Sequence, residues 1–496
     1  MLRDVNHFSV VVHGFDAPRG RKQGTRRTFE STTASARRDF SPMRTYDPSS
    51  ADQIASTDAA DVHPSDAQDR QHWAQSLAMH AVVYGLPSVY QYAGMCDACA
   101  PAADGERWAT NSLVHKRMIA GAEFQAFRVP NVDTLYSNAW LDLSDGPIVV
   151  VLPDFGSRYY TLNFLDAYSN ASNVSRRTHP EQPRALFLAC SDWTGSVPEG
   201  IEVFRVATPI MWLLMRIQAF GDTDLPAVHR LQDAVTIDAP IASVRAWPVV
   251  EPRAVEVSSA AFFTALDASL AVNGVPFTDV AHVHQFRQLG VGTGTFSVND
   301  LDEATRKGME QGFEAAMTML SRSRSLLGRR TESGWTRVLG KGAHGHNFFA
   351  RAVMNFVGLG ANVVEENCSY NTYVDEDGQR LSGEAGEQYA IEFVTTPPAQ
   401  AFWSITLYDA ETGWLYDAPG RKHSVGSAVN GADGATGPST ITVSASPPTT
   451  DSPDHDWLPA PQHPFFLVLR IYQPTEDALN GQWTPPRVVR SNAGPL

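Results

Sequence analysis

Pro130-Asn131-Val132-Asp133-Thr134-Leu135-Tyr136 puts an amide, a carboxyl and a phenol within a few residues, and Arg158, Tyr160 and Asp166 follow on the next segments. A carboxylate beside a phenol or a guanidinium can orient a proton donor or grip a polar ligand. The pattern points to acid–base work by Asp133, Tyr136, Arg158 and Asp166, with Asn131 and Tyr160 touching the ligand. A structural alternative stands beside it, in which Asp133 closes an Asx-turn and Arg158 pairs with Asp166 at a strand end. In the second half, Arg470 interrupts the apolar run from Phe465 to Tyr472, so its guanidinium needs a carboxylate, a carbonyl or a ligand anion. Trp403 and Tyr408 lie on a neighbouring aromatic segment. Such residues fill a core or rim a pocket for an apolar ligand, and with Arg470 they are the ligand contacts expected there.

Two further patterns invite a metal or redox reading. His282-Val-His284 and His344-Gly-His346 would each present two imidazoles on one face of a strand, as a cupin-like site does with an added carboxylate from Glu365, Glu366, Asp375 or Asp377. His282 falls in a helical stretch, however, and no metal ligand is assigned. Cys96 and Cys99 form a lone CxxC that suits a redox dithiol, half a zinc site or a loop disulfide; Cys190 and Cys368 supply no second pair, and two inert loop thiols are expected. There is no GxSxG, GK[ST] or HExxH signature. Gly290-Val-Gly292-Thr-Gly294 follows a polar segment and precedes no clear helix, which does not suit a dinucleotide loop. No cofactor can be named.

Holding such groups in place requires a core. The 496 residues exceed one ordinary domain, so two or three are expected. Apolar residues make up 43% and charged residues 19%, with 36 Gly and 32 Pro, a turn-rich globular composition. The net charge of -15 argues against a nucleic-acid partner. No run approaches the roughly 20 apolar residues of a membrane helix. Ala36-Arg37-Arg38-Asp39-Phe40 looks like a twin-arginine export motif, but polar residues follow where an apolar core must, so a cytoplasmic location is expected. Nine Lys/Arg against five Asp/Glu make Met1 to Ser50 basic. Residues 1–65 read as a disordered polar tail, or as sequence upstream of a truer start such as Met43.

Order is expected from Asp69, where Trp73, Leu77, Ala81 and Tyr84 recur at helical spacing until Gly85-Leu86-Pro87 ends the run. Pro147 to Pro153, Tyr159 to Leu165, Ala185 to Leu188 and Ile201 to Val206 read as strands. Helical spacing returns between Pro240 and Gly340, with Met309, Phe313, Ala316 and Leu320 behind the acidic start Asp302-Glu303. Further on, Tyr370 to Val374 and Gln388 to Thr395 read as a hairpin around the turn-rich Asp375 to Gly378. Trp403, Ile405 and Leu407 alternate with Ser404, Thr406 and Tyr408, the pattern of a half-buried strand. The expected division is a tail over 1–65, a β-rich domain over 66–239, a helical connection over 240–340 and a β-sandwich domain over 341–496.

Beyond periodicity, the ordered motifs Asn131 to Ser137, Leu141-Asp142-Leu143, Gly146-Pro147, Leu152-Pro153-Asp154, Arg158-Tyr159-Tyr160 and Asp166-Ala-Tyr168 resemble the domain-of-unknown-function family 1254. Pro397-Pro398, Ala401 to Ser404, Leu407-Tyr408-Asp409, Ser424-Val-Gly426, Trp457 to Pro461, Arg470-Ile-Tyr472 and Trp483 to Pro486 resemble its usual partner, family 1214. Asp417 to Ser424, Ala435 to Pro438 and Asp456 depart from that pattern, so a loop-borne site there can differ from its relatives. The resemblance implies a double-barrel fold with a jelly-roll-like β-domain in each half and members that are often exported; it brings no agreed activity.

The reading that follows is a mainly β, α+β fold of two jelly-roll-like sandwich or barrel domains joined by a helical region. Its expected work is to bind or transform a small organic molecule inside a barrel by acid–base chemistry of a lyase, isomerase or hydrolase kind. The partner expected is that small molecule, with neither nucleic acid nor membrane, and a homo-oligomer is compatible. A structural, assembly-forming jelly-roll protein is the alternative, and a metal-dependent cupin-like enzyme is a third.

Overall fold

The computed structural model describes residues 62–100, 108–124, 127–239, 246–323, 327–384, 386–427, 437–448 and 455–491. The tail up to residue 61, with Arg37, Arg38 and Met43, lies outside them, as does the Ala435 end of the departing turn.

Asp66 starts the first helix, α1 (Ala67–Cys99), by accepting from the backbone N–H groups of Gln68 and Asp69 at 2.8 and 3.1 Å, which satisfies donors that a helix start leaves open. The sequence pattern ends this helix at Pro87, but the structure carries it through to Cys99. A proline inside a helix costs about 3 kcal/mol. Tyr84, Leu86, Val89, Ala93 and Met95 are all buried around it, and that apolar burial outweighs the lost hydrogen bond. Along the chain follow α2 (Leu225–Ala234), α3 (Pro252–Val257), α4 (Ser259–Asn273), α5 (Val280–His284), α6 (Glu303–Arg322), α7 (Phe348–Val357) and α8 (Glu476–Asn480). Helix α6 lies on α1 so closely that a Cβ on Gly308 or Gly312 would meet the carbonyl oxygen of Gln71 or Gln75 at 2.2 or 2.4 Å.

Strands are segregated by half. Residues 114–238 supply β1 (Val114–His115), β2 (Thr134–Asp142), β3 (Ile148–Val151), β4 (Tyr160–Leu165), β5 (Ala171–Ser175), β6 (Ala185–Cys190), β7 (Glu202–Val206), β8 (Ile210–Gln218) and β9 (Thr236–Asp238). They form one sheet in the order β1-β2-β8-β4-β5 and a second in the order β7-β6-β3-β9. Residues 329–491 supply β10 (Arg329–Arg330), β11 (Thr336–Val338), β12 (Asn367–Thr372), β13 (Gln388–Glu392), β14 (Ala399–Asp409), β15 (Ser424–Gly426), β16 (Thr440–Ser444), β17 (His455–Pro459), β18 (Phe465–Pro474) and β19 (Val489–Ser491). These form a third sheet, β10-β11-β12-β18-β14-β15, and a fourth, β17-β16-β13-β19. The architecture is mixed α+β, and among the described strands no sheet closes into a barrel.

One pairing differs from expectation. Strands β12 and β13 are not a hairpin: β12 pairs with β11 and β18, and β13 with β16 and β19. The buried Asp375 carboxylate in the connecting loop is held by Arg490 of β19 at 3.0 Å, so the loop carries the chain from the third sheet to the fourth.

Side chains alternate across each strand, and this sorts the residues of both halves. On β8, Met211, Leu213, Met215 and Ile217 enter the core shared with the second sheet. Ile210, Trp212 and Leu214 turn the other way, into a core with the helices, and Arg216 and Tyr136, directly paired across β8 and β2, share that face. On β18, Phe465, Leu467, Leu469 and Ile471 fill the core between the third and fourth sheets together with Cys368 and Tyr370 of β12 and Trp403, Ile405 and Leu407 of β14. The opposite face carries Arg470, Tyr472, Ser369, Asn367, Ser404 and Thr406. That polar face is covered by the first half.

Candidate functional site

Between the polar face of the third sheet and the Tyr136–Arg216 face of the first lies a cavity of about 150 Å³. Its lining includes Asn131, Tyr136, Arg216, Lys341, Asn367 and Arg470.

Asn131 organises one wall. Its side-chain oxygen accepts from Asp133 N, Thr134 N and Thr134 Oγ1 at 3.0, 3.0 and 2.9 Å. The Asx-turn is thus made by Asn131 and not by Asp133. Its own N–H and Nδ2 donate to the Tyr136 hydroxyl at 2.9 and 2.7 Å. The freed Asp133 carboxylate crosses to the second half, where it accepts from Ser404 Oγ at 2.6 Å, Tyr472 OH at 3.2 Å and Ser424 Oγ at 3.5 Å. Burial pushes this carboxyl up, opposed by the Ser404 hydroxyl, the Arg470 charge and the Tyr472 and Ser424 hydroxyls. Tyr136 is likewise raised by burial, against the nearby Arg216 and Arg470 charges.

Three buried cations face the space, and the half-buried Arg128 also lines it. Arg216 donates to the Gly360 carbonyl at 2.8 Å and to Asn362 Oδ1 at 3.2 Å. Arg470 donates to the Val129 carbonyl at 2.8 Å and to Thr406 Oγ1 at 3.2 Å. Val129 is a β-branched residue at φ 54°, a strained conformation held at the cavity wall. Lys341 sits in a Gly340-Lys-Gly342 loop packed so tightly that a Cβ on Gly342, at φ +71°, would lie 2.6 Å from Val363 N. Its Nζ donates to Asn367 Oδ1 at 2.7 Å and Ser369 Oγ at 2.8 Å, which uses two of an ammonium's three donors. Burial, with the Arg470 and Arg216 charges adding to it and Cys368 opposing, holds this ammonium down to about 7.

These three cations are buried, Arg216 at 6%, Lys341 at 7% and Arg470 at 7% exposure. Arg158, Arg177 and Arg490 have carboxylate partners; among the described residues Arg216, Lys341 and Arg470 form no ion pair. The lining also offers an unused buried donor, Asn367 Nδ2, and an unused acceptor, Asn371 Oδ1. A buried charge without an ion-pair partner is costly, and a concave site lined by such groups can bind a small anion and exchange a proton with it through Lys341.

The other candidates from sequence lie elsewhere. Arg158 is held by Asp224 in a two-pronged ion pair, with contacts at 2.5 and 2.9 Å, and lies over the Phe220 ring. Asp166 accepts from Tyr168 N, Asn170 N and Asn170 Nδ2 and so closes a turn. Tyr160 stacks on Phe155 in the first half's sandwich core, and Trp403 packs against Phe393 in the second's. Tyr408 lies beneath the site, donating to the Pro130 carbonyl with Arg470 5.5 Å above its ring. Sequence reasoning missed Arg216, although it interrupts an apolar strand just as Arg470 does. It also missed Lys341, whose glycine-flanked setting gives no signal.

The glycine loop and the histidine and cysteine pairs also find their places. Asp267 Oδ1 accepts from Gly292 N, Thr293 N and Gly294 N at 2.7, 2.9 and 3.0 Å, and Oδ2 from Phe296 N, so this anion nest is filled by the chain's own carboxylate. His282 lies on α5, stacked on Phe348 and edge-on to His80. Glu366 serves Ser175 and Arg177. Among the described residues no three His, Cys, Asp or Glu side chains gather closely enough to hold a metal ion. Cys96 and Cys99 lie on the last turns of α1, not in a loop, and burial pushes the Cys96 thiol up to about 12. No described helix is long and apolar enough to cross a membrane.

Comparison with known proteins places this architecture in a two-part class. Residues 110–239 match the family described as "Protein of unknown function (DUF1254)" and residues 366–476 the family described as "Protein of unknown function (DUF1214)". The first match lies in the N-terminal half and the second in the C-terminal half, in the order that the sequence motifs imply. Among solved structures, the VPA0106 protein from Vibrio parahaemolyticus is similar with a TM-score of 0.63 at 22% identity, over 84% of this chain and 100% of that one. An uncharacterized protein from Burkholderia cenocepacia matches with a TM-score of 0.40 at 14% identity, over 88% and 92% of the two chains. The first shares the fold. No curated protein matches the chain.

Proposed function

We propose that the protein binds a small organic monoanion in the cavity between its two halves and exchanges a proton with it through Lys341. The reading rests on one observation: Arg216, Lys341 and Arg470 are buried in the wall of a half-open cavity without a carboxylate partner among the described residues. Asp133 is the nearby countercharge felt by Arg470, but it is occupied by hydroxyls of the second half and lies outside the lining. With Lys341 held down to about 7, its neutral amine can take a proton from solvent when an anion arrives, and the ammonium so formed can give it to a reacting carbon or oxygen. Asn131, Asp133 and Tyr136 position the wall in this reading, and Arg158 and Asp166 have no part in it.

Propionate is the probe. Calorimetric titration at pH 6.5 should detect its binding to the wild-type chain, and Lys341→Met should weaken it at least tenfold. Absence of propionate binding, or equal affinity in the variant, would overturn the reading.

A further inference from the structure

Beside the cationic cavity lies a larger space of about 850 Å³. Trp108, Phe124, Trp140, Trp212, Phe356 and Trp414 line it. Trp140 and Trp212 pair across β2 and β8 and stack with ring centroids 5.5 Å apart at 23°, and Trp212 gives its indole N–H to Asn138. Both strands also carry the cavity's own groups. Tyr136 and Trp140, like Trp212 and Arg216, are an even number of residues apart, so all four project from one face of the sheet.

The partition between the two spaces is thin. Phe127, Arg128, Val357, Gly358 and Leu359 line both, and a Cβ on Gly358 would lie 3.9 Å from the Arg128 carbonyl oxygen. On one side of these segments stand the buried Arg216, Lys341 and Arg470, and on the other four indoles, with Asp97, Lys116, Arg253 and Glu256 also in the lining of that larger space. Alone, a cavity of about 150 Å³ admits a group about the size of benzene, whereas sites for organic ligands commonly span about 300–1,000 Å³.

We infer that the two spaces form one site for an amphipathic monoanion, with its carboxylate or equivalent head on Arg216, Lys341 and Arg470 and a flat apolar body against the Trp140–Trp212 wall. This rests on the anion reading above and adds the class of molecule to it. Charge at one end and aromatic surface at the other select against small inorganic anions, which have no body to bury, and against neutral aromatics, which leave the cations unpaired.

The test uses the whole chain at pH 6.5 and three probes: propionate, 4-phenylbutyrate and the neutral 4-phenylbutanol. By titration calorimetry, 4-phenylbutyrate should bind about a hundredfold more tightly than propionate, from the apolar area its phenylpropyl body buries, and more tightly than the alcohol. Trp414→Ala, at a half-buried wall position, should cost 4-phenylbutyrate about tenfold more than it costs propionate; Trp108→Ala serves if that variant does not fold. Equal affinity for the two acids refutes the amphipathic inference while leaving the anion reading in place. An alcohol that binds as tightly as the acid refutes the single site, because the cleft would then work without the cations. If neither acid binds, the anion reading falls and takes this inference with it.

Discussion

Replacing Lys341 by methionine is the sharpest perturbation of this architecture, because the site is built at the expense of stability. The ammonium falls from its ordinary value of 10.5 to about 7 in the folded chain. At 1.36 kcal/mol for each pH unit, keeping it folded at neutral pH costs about 4–5 kcal/mol. Methionine removes that cost and fills similar volume, but it also removes the bonds to Asn367 and Ser369, worth about 1 kcal/mol each. The variant should therefore be about 2–3 kcal/mol more stable than wild type at pH 7. The sign reverses with alkalinity. Below pH 7 both folded and unfolded wild-type chains carry the proton, so the penalty is constant. Between 7 and 10.5 the unfolded chain binds more protons than the folded one, and wild-type stability rises with pH by up to about 1.36 kcal/mol per unit. Urea denaturation of both proteins at several pH values from 6.5 to 10 measures the difference directly. Stability curves that run parallel across this range would show that the buried ammonium is not the cause.

Four further outcomes follow from the same geometry. Propionate affinity should fall as pH rises from 6 through 8.5, since only the charged Lys341 attracts the anion, with uptake of on the order of half a proton per ligand at pH 7; titration in buffers of different ionisation enthalpy reads both. Asp133→Ala should destabilise the chain by about 2–4 kcal/mol in urea, because it strips partners from Ser404 and Tyr472 and leaves Arg470 without its nearby countercharge. Gly312→Ala should cost about 2–3 kcal/mol, its new methyl meeting the α1 backbone, and a thermal melt within a degree of wild type would count against the close α1–α6 contact. Asp267→Ala, which orphans the N–H groups it collects from Gly292 to Phe296, should lose about 2–3 kcal/mol and speed hydrogen exchange at those amides.

Much of the strand content was legible in the sequence, because alternation and apolar runs report burial directly. Pro147 to Pro153 contains β3, and Phe465 to Tyr472 falls within β18. The first helix was cut short because proline is a local signal, whereas the packing that carries α1 past Pro87 is tertiary. Ser404 and Thr406 look solvent-facing on a half-buried strand, but the other half of the molecule covers them. A polar strand face does not reveal whether water or another sheet lies opposite. The site was half-read for the same reason. Asn131, Asp133 and Tyr136 stand together in sequence and Arg470 is a charge inside an apolar strand, so all four stood out. Lys341, Asn362 and Asn367 acquire meaning only when α7 and its following loop bring them against the first sheet.

Two carboxylates described above are satisfied in a reciprocal way. Asp133, from the first half, accepts its hydrogen bonds from hydroxyls of the second, while Glu366, from the second, accepts from Ser175 and Arg177 of the first. Each half therefore carries a charge that only the other can accommodate. Separately expressed halves would expose these groups to water and lose the cavity between them, and a change at either carboxylate would call for a matching change in a distant stretch of the same gene. Such a bargain gives a physical reason for the two modules to be inherited together.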